Sequence, residues 1–294
     1  MSEIQGWINL YKPKNISSFK AINKIKKKFL LKKIGHAGTL DPLAKGILPV
    51  AIGKATKLIS FVNNDMKKYY FTISWGIQTS TDDSDGEILN RSKVIPELKE
   101  IEENKNKFLG LVFQIPPKVS AIKINGQRAY KLVRKKQDFS ISPKEVFVKK
   151  IQVLSHKKNE TSFSLECGKG FYIRSFARDI ATKLGTFGHI SSLERTKVGN
   201  FTTETSILLD DLLKIGQRLD DFNYIKTSIS MLDDILAYEI GDKKDLNELS
   251  FGRPIRIEEE YIKKFSSEKI DKNFFLSNNG NIVSIGKLEG NLFK

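Results

Sequence analysis

Residues 35–57 read GHAGTLDPLAKGILPVAIGKATK. One carboxylate, Asp41, stands among glycines, small apolar residues and lysines. Gly35 and Gly38 let backbone come close to a ligand, and Pro42 fixes the chain just after the acid. An Asp before a Pro is also a common turn former. The stretch by itself therefore leaves Asp41 either a turn residue or a reagent. Gly35 to Gly38 reads as neither regular helix nor strand, Pro42 and Gly46 keep the next segment irregular, and LPVAI reads as a buried strand.

Upstream, GWINLYK (6–12) reads as a short strand that stops at Pro13. Ser17 or Ser18 can cap a helix running to about Lys33, with Ala21, Ile22, Ile25, Phe29 and Leu30 at helical spacing. Downstream, KKYYFTISWG alternates strictly, placing Tyr69, Phe71, Ile73 and Trp75 on one face. Residues 96–109 read as an acidic helix, and Pro116-Pro117 breaks the chain. Asn125-Gly126 signals a hairpin inside a basic run, so 123–139 is a candidate clamp on a partner. Residues 145–154 and 161–167 read as strands. In YIRSFARDIATKLG, residues Ile173, Phe176, Ala177, Ile180, Ala181 and Leu184 form one stripe, and Gly185 is a natural stop. A boundary near 235 separates residues 1–234 from a small β-rich tail, 235–294, with strand-like PIRI, NFFLS and NIVSIGKL. Strands and helices mix without βαβ alternation, so the fold class is α+β, with a mixed, mainly antiparallel sheet flanked by helices and loops.

The chain has 294 residues, a formal charge of +16 and a pI near 9.6. The charge is segregated. Residues 1–60 hold twelve lysines against Glu3 and Asp41, and residues 118–158 hold twelve basic residues against Asp138 and Glu145. Residues 205–260 reverse the sign, with thirteen acids against seven bases. Such a distribution implies a polyanionic partner, because phosphate contacts release counterions. A single cysteine, Cys167, excludes an internal disulfide. No run of ~18 apolar residues occurs, and the first residues lack the order of a secretion signal, so a cytoplasmic location is expected. Three scattered histidines give no metal-ligand spacing. Residues 81–92 miss the first and last ligands of a calcium loop, and Gly46 to Lys54 misses the phosphate-loop spacing. Metal, ATP or nicotinamide chemistry would lack visible equipment.

Six stretches in order carry a resemblance: GWINLYKPKNISS, the 35–57 segment, KKYYFTISWGIQTSTDDSDGE, QIPPKVSAIKINGQRAYKLVRK, CGKGFYIRSFARDIATKLG and SSLERTKVGNF. Together they span residues 6–201, and they resemble the motifs of the TruB-type tRNA pseudouridine synthases. The resemblance implies an isomerase that needs no cofactor and no metal. It would act on tRNA through the T-arm, at uridine 55 of the T-loop, by swinging the nucleotide out of the loop. The bond from uracil N1 to ribose C1′ breaks and C5 takes its place. The resemblance also implies a PUA-like RNA-binding tail and a monomer.

Residue by residue, it places Asp41 as the catalytic aspartate, a nucleophile that must stay ionised while a base dries the site. A nearby cation favours the charged form of a carboxylate, and Arg174 matches the residue in that role. Asp83 matches a position that pairs with Arg174. Tyr69 matches an aromatic that stacks on the target base, Leu193 an apolar residue packed against it, and His36 a residue that props the vacated space. Tyr172, beside Arg174, joins the substrate-binding set. Phosphate contacts would come from basic residues in 12–33 and 123–136, Lys12 among them, and from Lys57, Lys67 and Lys169. Without the resemblance, Arg174 reads as a helix-surface arginine, Asp83 as a turn former and Leu193 as core.

Three residues depart from the pattern: Glu194 where a basic residue is usual, Asn15 where a glycine is common, and Trp75 where an aliphatic is usual. Two rival readings share the charge map. One is a non-catalytic tRNA-binding or tRNA-folding chaperone on the same scaffold; the other is a related enzyme with a different RNA target.

Overall fold

The computed structural model describes residues 4–62, 66–216, 224–231, 236–263 and 274–294. The elements that position the site are β1 (Gly6–Lys12), α1 (Ser18–Lys28), β2 (Ile34–His36), β3 (Lys45–Ile52), β4 (Lys67–Trp75) and α2 (Leu98–Lys105). There follow β5 (Gly110–Gln114), β6 (Lys144–Lys157), β7 (Glu160–Cys167), α3 (Ile173–Lys183), β8 (Gly188–Val198) and β9 (Ile207–Leu208). The central sheet runs β9-β1-β3-β8-β4-β7-β6-β5. Only β1–β9 and β3–β8 pair in parallel along this path; the other neighbours are antiparallel. This is the mixed, mainly antiparallel α+β sheet expected.

In β4 the alternation is followed to the residue. Tyr69, Phe71, Ile73 and Trp75 are buried, while Tyr70 is exposed. The apolar stripe of α3 lies on that inner face. Phe176 meets Phe71 and Phe163 edge-on, with ring centroids 5.8 and 5.9 Å away. Burying such a ring contributes roughly 1.5–3 kcal/mol, so the start of α3, and Arg174 with it, is anchored against β4 and β7. Gly46 permits the parallel approach of β3 to β8. It has φ +109°, and a Cβ there would stand 2.2 Å from the Arg195 carbonyl oxygen. Pro49 falls in the middle of β3, in the gap between its pairing with β8 and its pairing with β2. No ladder donor is needed there.

Two local expectations are corrected. Helix α1 stops at Lys28 rather than near Lys33, because Leu30 turns left-handed at φ +50° and the Leu31 amide bonds back to Lys26 O. This is a Schellman-type ending made without glycine, so no stop residue marks it in the sequence. Ile34–His36 also forms a short strand against β3, where a wholly irregular turn was expected.

The tail holds two small sheets. One joins Leu236–Glu239, Phe274–Asn278 and Asn281–Gly286; the other joins Ile255–Arg256, Leu292–Phe293 and Leu288–Glu289. Phe275 packs into one cluster with Trp7, Val198 and Phe201, and its ring lies 4.9 Å from Phe61. The boundary expected between residues 234 and 235 lies outside the described residues. The 123–139 segment contains the hairpin Lys123–Ile124/Gln127–Arg128, with Asn125 and Gly126 both at positive φ, as a two-residue Asn-Gly loop requires. Helix Ala129–Arg134 follows it.

Candidate active site

Asp41 begins a tight turn, with Ala44 N bonded to its carbonyl at 3.1 Å. Its side chain stays 38% exposed at an open pocket of ≈ 460 Å³. The residue makes the turn and also presents a carboxylate to the pocket. The pocket volume falls within the ordinary range for small-ligand sites. Tyr69, Lys67, Lys169, Tyr172, Arg174 and Leu193 line the same pocket. Seven of the eleven expected site residues thus meet at one place.

Arg174, the second residue of α3, is the organiser. It is nearly buried, and its Nη2 lies 2.9 Å from Asp41 Oδ2. Nη1 donates to Thr81 O at 2.8 Å and Nη2 to Val119 O at 3.0 Å. Its Nε stands 3.5 Å from Asp83 Oδ2. Asp83 does not line the pocket; it braces the guanidinium from behind. The acidic turn is itself fixed, since Asp83 Oδ1 accepts from Thr81 Oγ1 and from Asp85 N, and Ile190 N donates to Asp82 O. The end of β5 ties down the start of α3. Gln114 exchanges two hydrogen bonds with the Tyr172 backbone, at 2.8 and 3.1 Å, and Ser175 Oγ donates to Ile115 O. A charged group held by that many partners has its geometry set before any ligand arrives.

Tyr69 is buried on β4 beside the carboxylate. Burial pushes its hydroxyl up to about 12, with the Arg195 guanidinium acting in the opposite sense. At neutral pH it is a phenol, so it offers a ring face and a donor, not a phenolate base. Burial, and then the Asp41 charge, raise Tyr172 as well. Leu193 lies opposite on β8, paired with Phe71.

Sequence reasoning missed Arg195. It is 2% exposed, lines the pocket, and donates from Nε to Ile47 O and from Nη2 to Gly38 O, each at 2.8 Å. The signal was strand parity: residues two apart on β8 share a face, so placing Leu193 in the pocket also placed Arg195 there. Parity further moves Glu194 to the other side of the strand, where Tyr11 donates to it at 2.8 Å and Lys45 stands 3.3 Å away. Its negative charge is therefore turned away from the pocket. Asn15, in place of glycine, adopts φ +63°, a conformation asparagine tolerates better than most residues. Arg128, with Ser120 to Ile122, adds a further wall next to the 123–139 segment. Five basic side chains thus line the pocket against one acid.

Besides Asp83, three expected residues lie outside the lining. His36 sits on β2 with Nδ1 buried and without a partner, and burial holds its imidazole neutral by lowering its pKa. Lys57 is exposed in the turn after β3. Lys12 is corrected outright: it is fully buried, with Nζ donating to Pro13 O and Ile16 O at 2.8 Å each. It orders the loop after β1 and cannot meet a phosphate there. Burial pushes its ammonium down to about 8, against the pull of Asp41. Between about pH 8 and the ordinary lysine value, the unfolded chain binds this proton and the folded chain does not, so this group's contribution to stability rises with pH. Wild type should therefore gain stability over Lys12→Met as pH is raised from about 7 to about 10, read from urea midpoints. Parallel curves for the two proteins would remove the buried-charge assignment.

Residues 26–173 match the TruB family pseudouridylate synthase N-terminal domain, and residues 174–237 match the tRNA pseudouridylate synthase B C-terminal domain. A tRNA pseudouridine synthase B of Ehrlichia ruminantium is 40% identical over 262 residues, covering 88% of each chain. That of Rhizobium meliloti is 41% identical over 259 residues, covering 86% of this chain and 83% of the other. Among solved structures, a Cbf5–Nop10–Gar1 complex superposes with a TM-score of 0.70 at 25% identity, over 96% of this chain and 78% of that one. The chain belongs to the TruB family of pseudouridine synthases.

Proposed function

We propose that the protein isomerises a uridine of tRNA to pseudouridine, and that its target is uridine 55 of the T-loop. The observation that carries this reading is the carboxylate of Asp41, open to a pocket and held at 2.9 Å by a buried, fourfold-tethered Arg174. A protein that only binds or refolds tRNA has no need for a braced anion facing a polyanion, so the chaperone reading leaves this array unexplained. The relatives' names supply tRNA as the substrate.

In this mechanism the nucleotide is everted into the pocket and stacks on Tyr69 against Leu193. Asp41 is the nucleophile and Arg174 keeps it charged and aimed. The N1–C1′ bond breaks, the C5–C1′ bond forms, the C5 proton leaves and N1 regains one. Nothing is oxidised or reduced. Exposed Lys123, Lys131, Arg134, Lys135 and Lys136 on the 123–139 segment, with Lys169, take the T-arm backbone. The three side chains assigned to catalysis, Asp41, Tyr69 and Arg174, come from one chain, so a monomer suffices. The tail's pocket is lined by Glu239, Asp242, Asp245 and Glu258, which gives that face no grip on phosphate.

The target is tested by mapping carbodiimide-dependent primer-extension stops on an unmodified tRNA transcript. One new stop is expected at position 55, abolished when that uridine is replaced by cytidine. A stop elsewhere would transfer the activity to another RNA position; no stop would remove the activity.

A further inference from the structure

The segment that carries Asp41 is held on both sides by the loop and helix that follow β1. Ser18, the first residue of α1, is 1% exposed. Its Oγ donates to Leu40 O at 2.9 Å and accepts from Leu40 N at 2.9 Å. A single hydroxyl thus satisfies both backbone groups of the residue before Asp41, as a strand partner would. On the other side, Asn15 N donates to Pro42 O at 2.8 Å. The loop that presents Asn15 is ordered in turn by the Lys12 ammonium. Sequence reading gave Ser18 only the role of a possible helix cap, and that role falls to its neighbour: Ser17 Oγ accepts from Lys20 N at 3.2 Å.

We propose that Ser18 is a positioning residue for Asp41. It fixes the backbone on which the carboxylate is mounted, while Arg174 fixes the carboxylate itself. An arginine can hold an oxygen only where the main chain delivers it. Leu40 precedes an irregular segment in which Pro42 is exposed, and among the described residues no ladder pairing fixes the backbone of Leu40 or Asp41. Without the Ser18 hydroxyl, both backbone groups of Leu40 are left buried without that partner and the turn is free to shift. A displacement of about 1 Å at a reacting group costs on the order of 10²-fold in rate. Substrate binding rests on the basic surface and the pocket walls; Ser18 is not itself a lining residue and bonds the pocket wall through the Leu40 backbone.

This inference rests on the reading of Asp41 as the nucleophile. The test compares wild type, Ser18→Ala, Ser18→Thr and Ser17→Ala, using single-turnover conversion of a T-arm hairpin at saturating protein, its Kd, and thermal unfolding. Ser18→Ala should lose about 10²-fold in rate, with Kd changed by less than about threefold. Ser18→Thr, which keeps the hydroxyl, should recover most of that rate. Ser17→Ala should lower the unfolding temperature and leave the rate unchanged. A wild-type rate in folded Ser18→Ala would overturn the proposal. So would equal losses in folded Ser18→Ala and Ser18→Thr, or a loss in Ser17→Ala matching that of Ser18→Ala, because each assigns the effect to packing or helix stability. Should Ser18→Ala fail to fold, the Ser18→Thr rate decides alone: near wild type upholds the hydroxyl's role and a loss of about 10²-fold overturns it. Absence of conversion by wild type would instead remove the proposed function itself.

Discussion

Arg174→Lys is expected to slow turnover by about 10²–10³-fold while tRNA affinity changes by only a few-fold. The reason lies in the count of acceptors. Arg174 serves Asp41, Asp83, Thr81 O and Val119 O from three nitrogens in one plane. A lysine brings one nitrogen, which cannot reach carboxylates on opposite sides of the guanidinium. Either Asp41 loses its aim or Asp83, which is 4% exposed, is left charged and unpaired. Breaking a buried pair in that way typically costs about 3 kcal/mol or more, so a lowered unfolding temperature should accompany the slower rate. Single-turnover kinetics and filter binding on one tRNA transcript measure both quantities. Unchanged turnover would show that charge alone suffices and that the fork is dispensable.

Asp41→Asn is expected to be the most damaging single change, with turnover reduced by about 10⁴-fold or more. Asparagine keeps the shape and the turn-forming backbone, and it can still accept a hydrogen bond from Arg174 Nη2. What it loses is the negative charge and, in the proposed mechanism, the nucleophilic oxygen. Because the pocket already holds five basic side chains against this one acid, removing the acid should leave tRNA binding intact or slightly tighter. That split separates the catalytic reading from the chaperone reading, under which Asp41→Asn changes neither function.

Much of this was legible in the sequence. The alternation in residues 67–75 fixed the inner face of β4, and the stripe in residues 173–184 fixed the helix that covers it, because both patterns follow directly from backbone periodicity. The Asn125-Gly126 hairpin and the strand pieces of the tail were readable for similar reasons. Asp41, Arg174 and Asp83 were not: each is commonplace in its local context, and their convergence depends on three segments separated by more than forty residues in each case. Only the ordered set of six motifs pointed to it. The end of α1 was hidden because Leu30, a poor residue for a left-handed turn, supplies it. Lys12 and Ser18 were misjudged for a shared reason. A lysine reads as surface and a serine before a helix reads as a cap, whereas here both side chains are buried and bonded to backbone of the loops around Asp41 or after β1. Arg195 followed from parity once Leu193 was placed, and Glu194 was excluded by the same rule.

The most direct test uses tRNA transcript carrying tritium at uracil C5, incubated with wild type and with Asp41→Asn. Isomerisation must expel the C5 hydrogen, and binding or refolding cannot. Wild type should release one equivalent of label from the target uridine, and Asp41→Asn should release none while still retaining the tRNA on a filter. Release by both proteins, or by neither, would contradict the assignment of Asp41 as the group that does the chemistry.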